Sequence, residues 1–376
     1  MGIGLVDPIL PSIAEALHAT QTQSELLFTT YLALTGVAMF FTSWVSSRLG
    51  AKKTLLIGLA LVVVFATACG LSPTVAPIIG FRAGWGIGNA LFISTALATM
   101  VTAAVGGSAR AIILYETALG IGMAVGPLTG GLLGTITWRM PFFGTATLMA
   151  VGFIAIAVLL KAPRPDGPKL HAAPIPLSAP FTALAHPGIA TMAAAAFFYN
   201  MAFFSTLAFP PFALKGLGID QPITIGLVFF GWGALLALSA VVVAPRLTLF
   251  VQRTRVLQFA ESLLALLLIA CAISVKSAAA LIVCVILTGI PLGLLNTVLT
   301  ECSMEASDLP RPVASSTYSG WRFLGGAIAP PLCTFLAGAT GTTWVPFLYG
   351  AAMILVSALI ITLRRPTLAR ADGAIA

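Results

Sequence analysis

Charge is what this chain has least of. Charged side chains occupy 8% of its 376 positions, against roughly 25% in soluble domains. No polar stretch is long enough to fold as a separate water-soluble domain. Histidine is nearly as scarce. His18, His171 and His186 all fall in loops or near helix ends, so no nucleophile inside the apolar runs has a base beside it, which argues against an intramembrane hydrolase and leaves no catalytic residue to name. The five cysteines, Cys69, Cys271, Cys284, Cys302 and Cys333, are odd in number and lack a C-x-x-C spacing. No disulfide, metal site or cofactor is therefore expected. Nothing resembles a selectivity-filter loop, so a channel is disfavoured. The net charge of +8 is spread over many short loops rather than clustered, which speaks against nucleic acid as a partner.

What the chain has instead is apolar length. Hydrophobic residues make up 59% of it, and runs of about 20 recur almost throughout, the pattern of a polytopic helical protein in a lipid bilayer. Spans fall near residues 26–45, 54–71, 75–105, 111–136 and 142–160, then near 189–214, 222–244, 256–275, 278–300, 313–337 and 341–363. The first span, 1–17, is the odd one. Six residues precede Asp7, which is about 9 Å of helix where half a bilayer needs about 15 Å. The polar turn at 18–24 places Asp7 near mid-membrane. This span reads as cut short, through a misassigned start or a truncation, and without a basic n-region it is no signal peptide. Between the two sets of spans, residues 161–187 hold seven prolines and read as an extended linker.

The second half repeats the first. Pro8 and Pro211 are 203 residues apart, Gly84 and Gly289 are 205 apart, and Pro127 and Pro330 are 203 apart. The shared offset predicts an all-α fold of two six-helix bundles, 1–160 and 189–376, joined by a cytoplasmic linker at 161–188 and related by an axis along the membrane normal. With both termini inside, fourteen basic residues fall on the cytoplasmic side and three, Arg139, Lys215 and Lys276, outside. That distribution follows the positive-inside rule, and the expected location is the cell's inner membrane. Arg82 and Arg322, the remaining two, lie within apolar runs.

Residues 122–131, GMAVGPLTGG, are the densest small-residue stretch. Gly122, Gly126 and Gly130 fall on one helix face that lets a neighbouring helix approach, while Pro127 removes a backbone donor and bends the helix. Together with Gly131 the string reads G-x-x-x-G-P-x-x-G-G. It resembles the fifth-helix signature of the drug:proton antiporter branch of the major facilitator superfamily, and the chain resembles that family along nearly its whole length. FRAGWGIGNA, 81–90, resembles the family's fourth-helix motif R-x-x-x-G-x-G, with Arg82, Gly86 and Gly88 in register. SSRLGAKK, 46–53, resembles the loop between helices two and three, G-x-x-x-D-R-x-G-R-K. Arg48, Gly50 and Lys52 match, but Ser43, Ser47 and Ala51 replace a glycine, the aspartate and an arginine. That loop stands between a gating latch involving Arg48 and a solvated basic loop. The resemblance implies a monomeric, proton-coupled multidrug efflux antiporter that works by alternating access on lipophilic or amphipathic small molecules. An exporter of an endogenous metabolite or siderophore, and a non-transporting membrane receptor or scaffold, remain as alternatives.

A charge at a helix centre costs about 2.5 to 3.5 kcal/mol on insertion scales, so each needs a partner or a wet cavity. Asp7 and Arg82 are the deepest pair of the first half. A carboxylate there is pulled two ways, burial favouring its neutral form and a nearby arginine its charged form, which suits proton coupling. Glu116 is a second proton-coupling candidate, and Arg322 either pairs at the cytoplasmic gate or snorkels to the surface. Glu261 and Glu301 read as solvated near helix ends. In the seventh span, Phe197, Tyr199, Asn200, Phe203 and Phe204 offer a dry wall with little polarity, which suits a lipophilic solute better than a sugar. The short first span gives a test: a longer native reading frame should supply about 15 to 25 further residues, mostly apolar. Genomic sequence upstream of Met1 that is stopped or strongly polar refutes this.

Overall fold

The computed structural model describes residue 5 and residues 9–103, 108–160 and 175–373; Asp7 and Pro8 lie outside the described residues, and Glu116 is described in its backbone only. A chain surrounded by lipid has no water to satisfy its peptide groups, so it closes every hydrogen bond within helices. Among the described residues the fold is all helical. A short α1, Leu10–Ala16, leads through a turn into α2, Gln21–Leu49. Thr20 and Gln23 cap α2 reciprocally, each side chain accepting from the other's backbone N–H at 3.2 and 2.9 Å, which satisfies donors the first turn leaves open. A single residue, Gly50 at φ 81°, both ends α2 and starts α3, Ala51–Leu71. Only glycine adopts that conformation cheaply.

There follow α4, Val75–Ala103; α5, Ser108–Ile136; α6, Met140–Leu159; α7, Pro187–Ala208; α8, Pro222–Leu238; α9, Arg253–Ile273; α10, Ala278–Glu305; α11, Arg311–Thr340; and α12, Val345–Leu363. A short helix, Pro210–Gly216, prolongs α7. A π turn, Ser239–Val243, carries α8 into Ala244–Phe250. Pro245 stands just beyond that turn, after Ala244, and its missing N–H is the kind of fault a π turn absorbs. Eleven helices among the described residues are long and apolar enough to cross a membrane.

The packing follows the sequence repeat. α2 lies along α11 and α5 along α8, while α3 sits between α4 and α6, and α9 between α10 and α12. At the repeat offset α2 corresponds to α8 and α5 to α11. The contact between α2 and α11 therefore maps onto the contact between α8 and α5.

Small residues make both contacts possible, though on α5 not the ones the glycine spacing suggests. A methyl group at Gly131 would fall 2.7 Å from Pro222 O, one at Gly226 2.8 Å from Pro127 O, and one at Gly120 3.0 Å from Ala237. Gly233 packs directly on the backbone of Ala124. The face of α5 that meets α8 is thus Gly120, Ala124, Pro127 and Gly131. Gly122, Gly126 and Gly130 are also buried, but on a different face, on which Gly130 packs on the backbone of Leu5. A helix advances 100° per residue, so positions 120 and 122 stand nearly back to back. The glycine pattern marked one face of a helix that is clasped on two.

Two carboxylates depart from expectation. Glu261 and Glu301 are buried, not solvated. Glu261 lies on the same stripe of α9 as Leu257, Leu264 and Leu268, and its Oε1 is 2.6 Å from Ser357 Oγ, which also donates to Ala195 O at 3.0 Å. Glu301 pairs with Arg253 at 3.2 Å; Arg253 also reaches Glu305 at 2.9 Å and donates to Ala371 O at 2.6 Å. Asp372 accepts from Thr254 N and Oγ1 at 3.0 and 2.6 Å. The last described turn of the chain is thereby folded back onto the ends of α9 and α10. At the surface beside it, Arg370 donates to both oxygens of Asp308 and holds that carboxyl below its usual range.

The close contact between α5 and α8 gives a prediction. Gly226→Leu overpacks it and should destabilise the protein by about 1 to 3 kcal/mol, read as a lowered thermal midpoint in detergent. Gly80→Leu, at a site with open space around it, should leave the midpoint unchanged. Equal midpoints for both variants would show that α5 and α8 do not depend on this approach.

Candidate functional site

A cavity of about 180 Å³ lies between the two sets of helices, walled by residues of α3 to α8, α10 and α11. Most of its wall is apolar. Phe203 and Phe204 of α7 line it with ring centroids 5.2 Å apart, Phe203 meets Trp232 of α8 at 5.7 Å, and Phe204 meets Phe28 of α2 at 6.4 Å. These rings pack edge to face, the arrangement their quadrupoles favour.

Arg322 supplies charge in this wall. Its Nε donates to Asn200 Oδ1 at 3.3 Å and its Nη2 to Asn296 Oδ1 at 2.5 Å, while Asn200 Nδ2 donates back to Arg322 O at 2.8 Å. Tyr199 OH donates to the same Asn296 oxygen at 2.7 Å, and the guanidinium carbon lies 5.7 Å from the Tyr199 ring centre. α7, α10 and α11 are tied together here through one cation and two amides. Arg322 thus lies in the cavity wall. A planar group with five donors is suited to bridge three helices in this way.

Other candidates fall at varying distances from the cavity. Asn200, Phe203 and Phe204 line it, Tyr199 stands behind the wall, and Phe197 faces an outer groove between α2 and α11. Arg82 is fully buried, donates through Nε to Leu27 O at 3.1 Å, and has its guanidinium carbon 4.7 Å from the ring centres of both Tyr31 and Trp85. Trp85 lines the cavity, so Arg82 is one side chain removed from it. Arg48 is exposed and stacks on Trp44 at 4.4 Å. Lys52 donates to Ala157 O at 2.8 Å, closing the end of α6. Of the two roles open to that loop, these contacts fit a solvated basic turn. Pro127 borders the cavity.

Sequence reasoning missed the seal at the linker end. Leu97 of α4 and Tyr115 of α5 pack with Met304 of α10, Val313 and Ala314 of α11, and Ala183 from the segment before α7. That segment is fixed from two sides. Phe181 stacks on Phe40 at 5.2 Å, and Pro180 O accepts from Thr317 Oγ1 at 3.2 Å. No motif announces such a plug, since each residue alone is an ordinary apolar helix residue. At the opposite end Glu15 and Lys215 come within 3.6 Å, an exposed pair that contributes little. No group of residues able to hold a metal occurs among the described residues.

The shared acceptor gives a prediction. Tyr199→Phe and Arg322→Lys each remove a donor to Asn296 Oδ1, so their effects on thermal stability should be coupled by about 0.5 kcal/mol or more in a double-mutant cycle. Strict additivity would show that the two donors act independently.

Comparison with known proteins places this architecture. The family model described as Major Facilitator Superfamily matches residues 1–309. The chain is 45% identical over 370 residues to the multidrug efflux protein YfmO of Bacillus subtilis, covering 98% of this chain and 91% of that one. It is 31% identical over 158 residues to the tetracenomycin C resistance and export protein of Streptomyces glaucescens, covering 42% of this chain and 29% of that one. The crystal structure of the human organic anion transporter MFSD10 (TETRAN) superposes with a TM-score of 0.76 at 14% identity, over 96% of this chain and 95% of that one, a likeness of fold. Paired helix contacts exchanged by the repeat, a cavity between the two sets of helices and a matching family model together make this chain a member of the Major Facilitator Superfamily.

Proposed function

We propose that the chain is a proton-coupled exporter of lipophilic or amphipathic small molecules, a transporter rather than an enzyme. It works as a monomer in the inner membrane with both termini in the cytoplasm. The observation that carries this reading is the cavity itself. It is apolar, enclosed by helices from both halves of the chain, and sealed at the linker end by side chains that also come from both. At about 180 Å³ it is smaller than the roughly 300 Å³ at which drug-sized pockets begin. A solute of that size enters only if the walls part, and walls contributed by two bundles part when the bundles rock. Residues 1–160 and 189–376 are then the moving bodies, with 161–188 as the cytoplasmic tether. The relatives named above as efflux, resistance and export proteins support the direction of transport.

Coupling is assigned to Asp7, with Arg82 adjusting it through α2 and α4, and with Glu116 as the second carboxylate. Asp7→Asn keeps the side-chain volume and removes the titrating group. In proteoliposomes this variant should lose export driven by an imposed pH gradient and retain counterflow at equal pH. Gradient-driven export that survives the substitution rejects Asp7 as the carrier and makes Glu116 the next residue to replace.

A further inference from the structure

The cavity wall carries hydrogen-bond donors that find no acceptor among the described residues. Among the lining residues, Asn89 of α4, Trp232 of α8 and Asn296 of α10 each present a buried side-chain N–H without a partner among the described residues: Nδ2, Nε1 and Nδ2 respectively. For Asn296 the identity of the free end is fixed by its neighbours. Tyr199 OH and Arg322 Nη2 both donate to the same atom, so that atom is the carbonyl oxygen and the amide nitrogen is what remains. Turning the amide round would set an NH₂ group against two donors. Trp232 offers no such choice, because an indole N–H only donates. Its ring is held between Phe203 and Phe229, with centroids at 5.7 and 6.0 Å. Asn89 stands in the other half of the chain.

Among the described residues the lining holds no compensating anion. None of the described residues that line the cavity is an aspartate or glutamate, and the charged one among them is Arg322. A buried N–H that gives up water and finds no acceptor is unfavourable, and a solute that carries acceptors relieves that loss on entering. A hydroxyl-rich solute brings donors as well as acceptors and would find its own donors stranded.

Resting on the transport reading above, we infer that the cavity selects apolar solutes bearing carbonyl or similar acceptor groups, neutral or anionic. The acceptors are held by Asn89, Trp232 and Asn296, and lipophilic cations are disfavoured. Because the donors come from both halves, an acceptor-bearing solute bridges the bundles that must move.

The test uses matched probes on the purified full chain by titration calorimetry: benzophenone, its hydrocarbon counterpart diphenylmethane, and the organic cation tetraphenylphosphonium. Benzophenone should bind about tenfold more tightly than diphenylmethane, the worth of one net hydrogen bond. Trp232→Phe keeps the ring and loses the N–H, and Asn89→Leu removes a donor; each should bring that ratio towards one. Asn296→Asp preserves the oxygen that Tyr199 and Arg322 use but replaces the donor with an acceptor. It should abolish the preference for the ketone and increase binding of tetraphenylphosphonium. Equal affinity for ketone and hydrocarbon in wild-type protein that binds both overturns the inference and leaves the transport reading intact. Failure to bind any probe, with no gradient-driven efflux of lipophilic solutes from proteoliposomes, overturns both.

Discussion

Helices in a bilayer gain nothing by hiding apolar side chains from one another, because lipid is as apolar as leucine. What holds this bundle together must come from close approach of backbones, and that approach is available only where side chains are small. The pairings of α5 with α8 and of α2 with α11 depend on this constraint. Gly131 against Pro222, Gly226 against Pro127 and Gly36 against Leu324 bring helices of the two halves within backbone contact. Larger residues would hold them apart. With these contacts in place, the aromatic rings of α7 and α8 close around a small central space rather than an open channel.

Polarity inside the membrane then falls into two kinds. At the linker end of the second half, Arg253, Glu301, Glu305 and the backbone of Ala371 satisfy one another, and Asp372 closes the first turn of α9. Such a network joins α9, α10 and the end of the chain into one piece. In the central cavity the balance is different. Arg322 and Asn200 are mutually bonded, but donors on three helices face a wall whose described residues include no carboxylate. One region uses polar groups to fix helices, the other keeps them available.

The helix count and the twofold plan were legible in the sequence, since apolar length and the 203-residue spacing of Pro127 and Pro330 are linear properties. The depth of Arg82 and the dryness of the seventh span were legible for the same reason. Rotational facts were not. Gly122, Gly126 and Gly130 share a face, but only three-dimensional packing shows that the partner half meets Gly120, Ala124 and Gly131 instead. Phe197 and Phe204 are both aromatic residues of one helix, yet Phe197 faces an outer groove and Phe204 the cavity. Glu261 looked like a residue of a wet helix end and lies on the buried stripe of α9 because its angular position, not its distance along the chain, decides its surroundings. The seal of Leu97, Tyr115, Met304 and Val313 has no sequence signature, because it exists only where four helix ends converge.

The π turn in α8 breaks the twofold plan at the interface that plan creates. Its counterpart α2 runs 29 residues as one unbroken rod, from Gln21 to Leu49, whereas α8 changes pitch at Ser239–Val243 before Ala244. A helix with one wide turn has its two segments out of phase, so the residues beyond the turn face a different azimuth from those an uninterrupted helix would present. Of the two seams between the halves, one is built on an uninterrupted α2 and the other carries a joint in α8. Equivalent contacts are therefore not mechanically equivalent, and a force applied at the cavity reaches the two ends of the molecule by unequal routes.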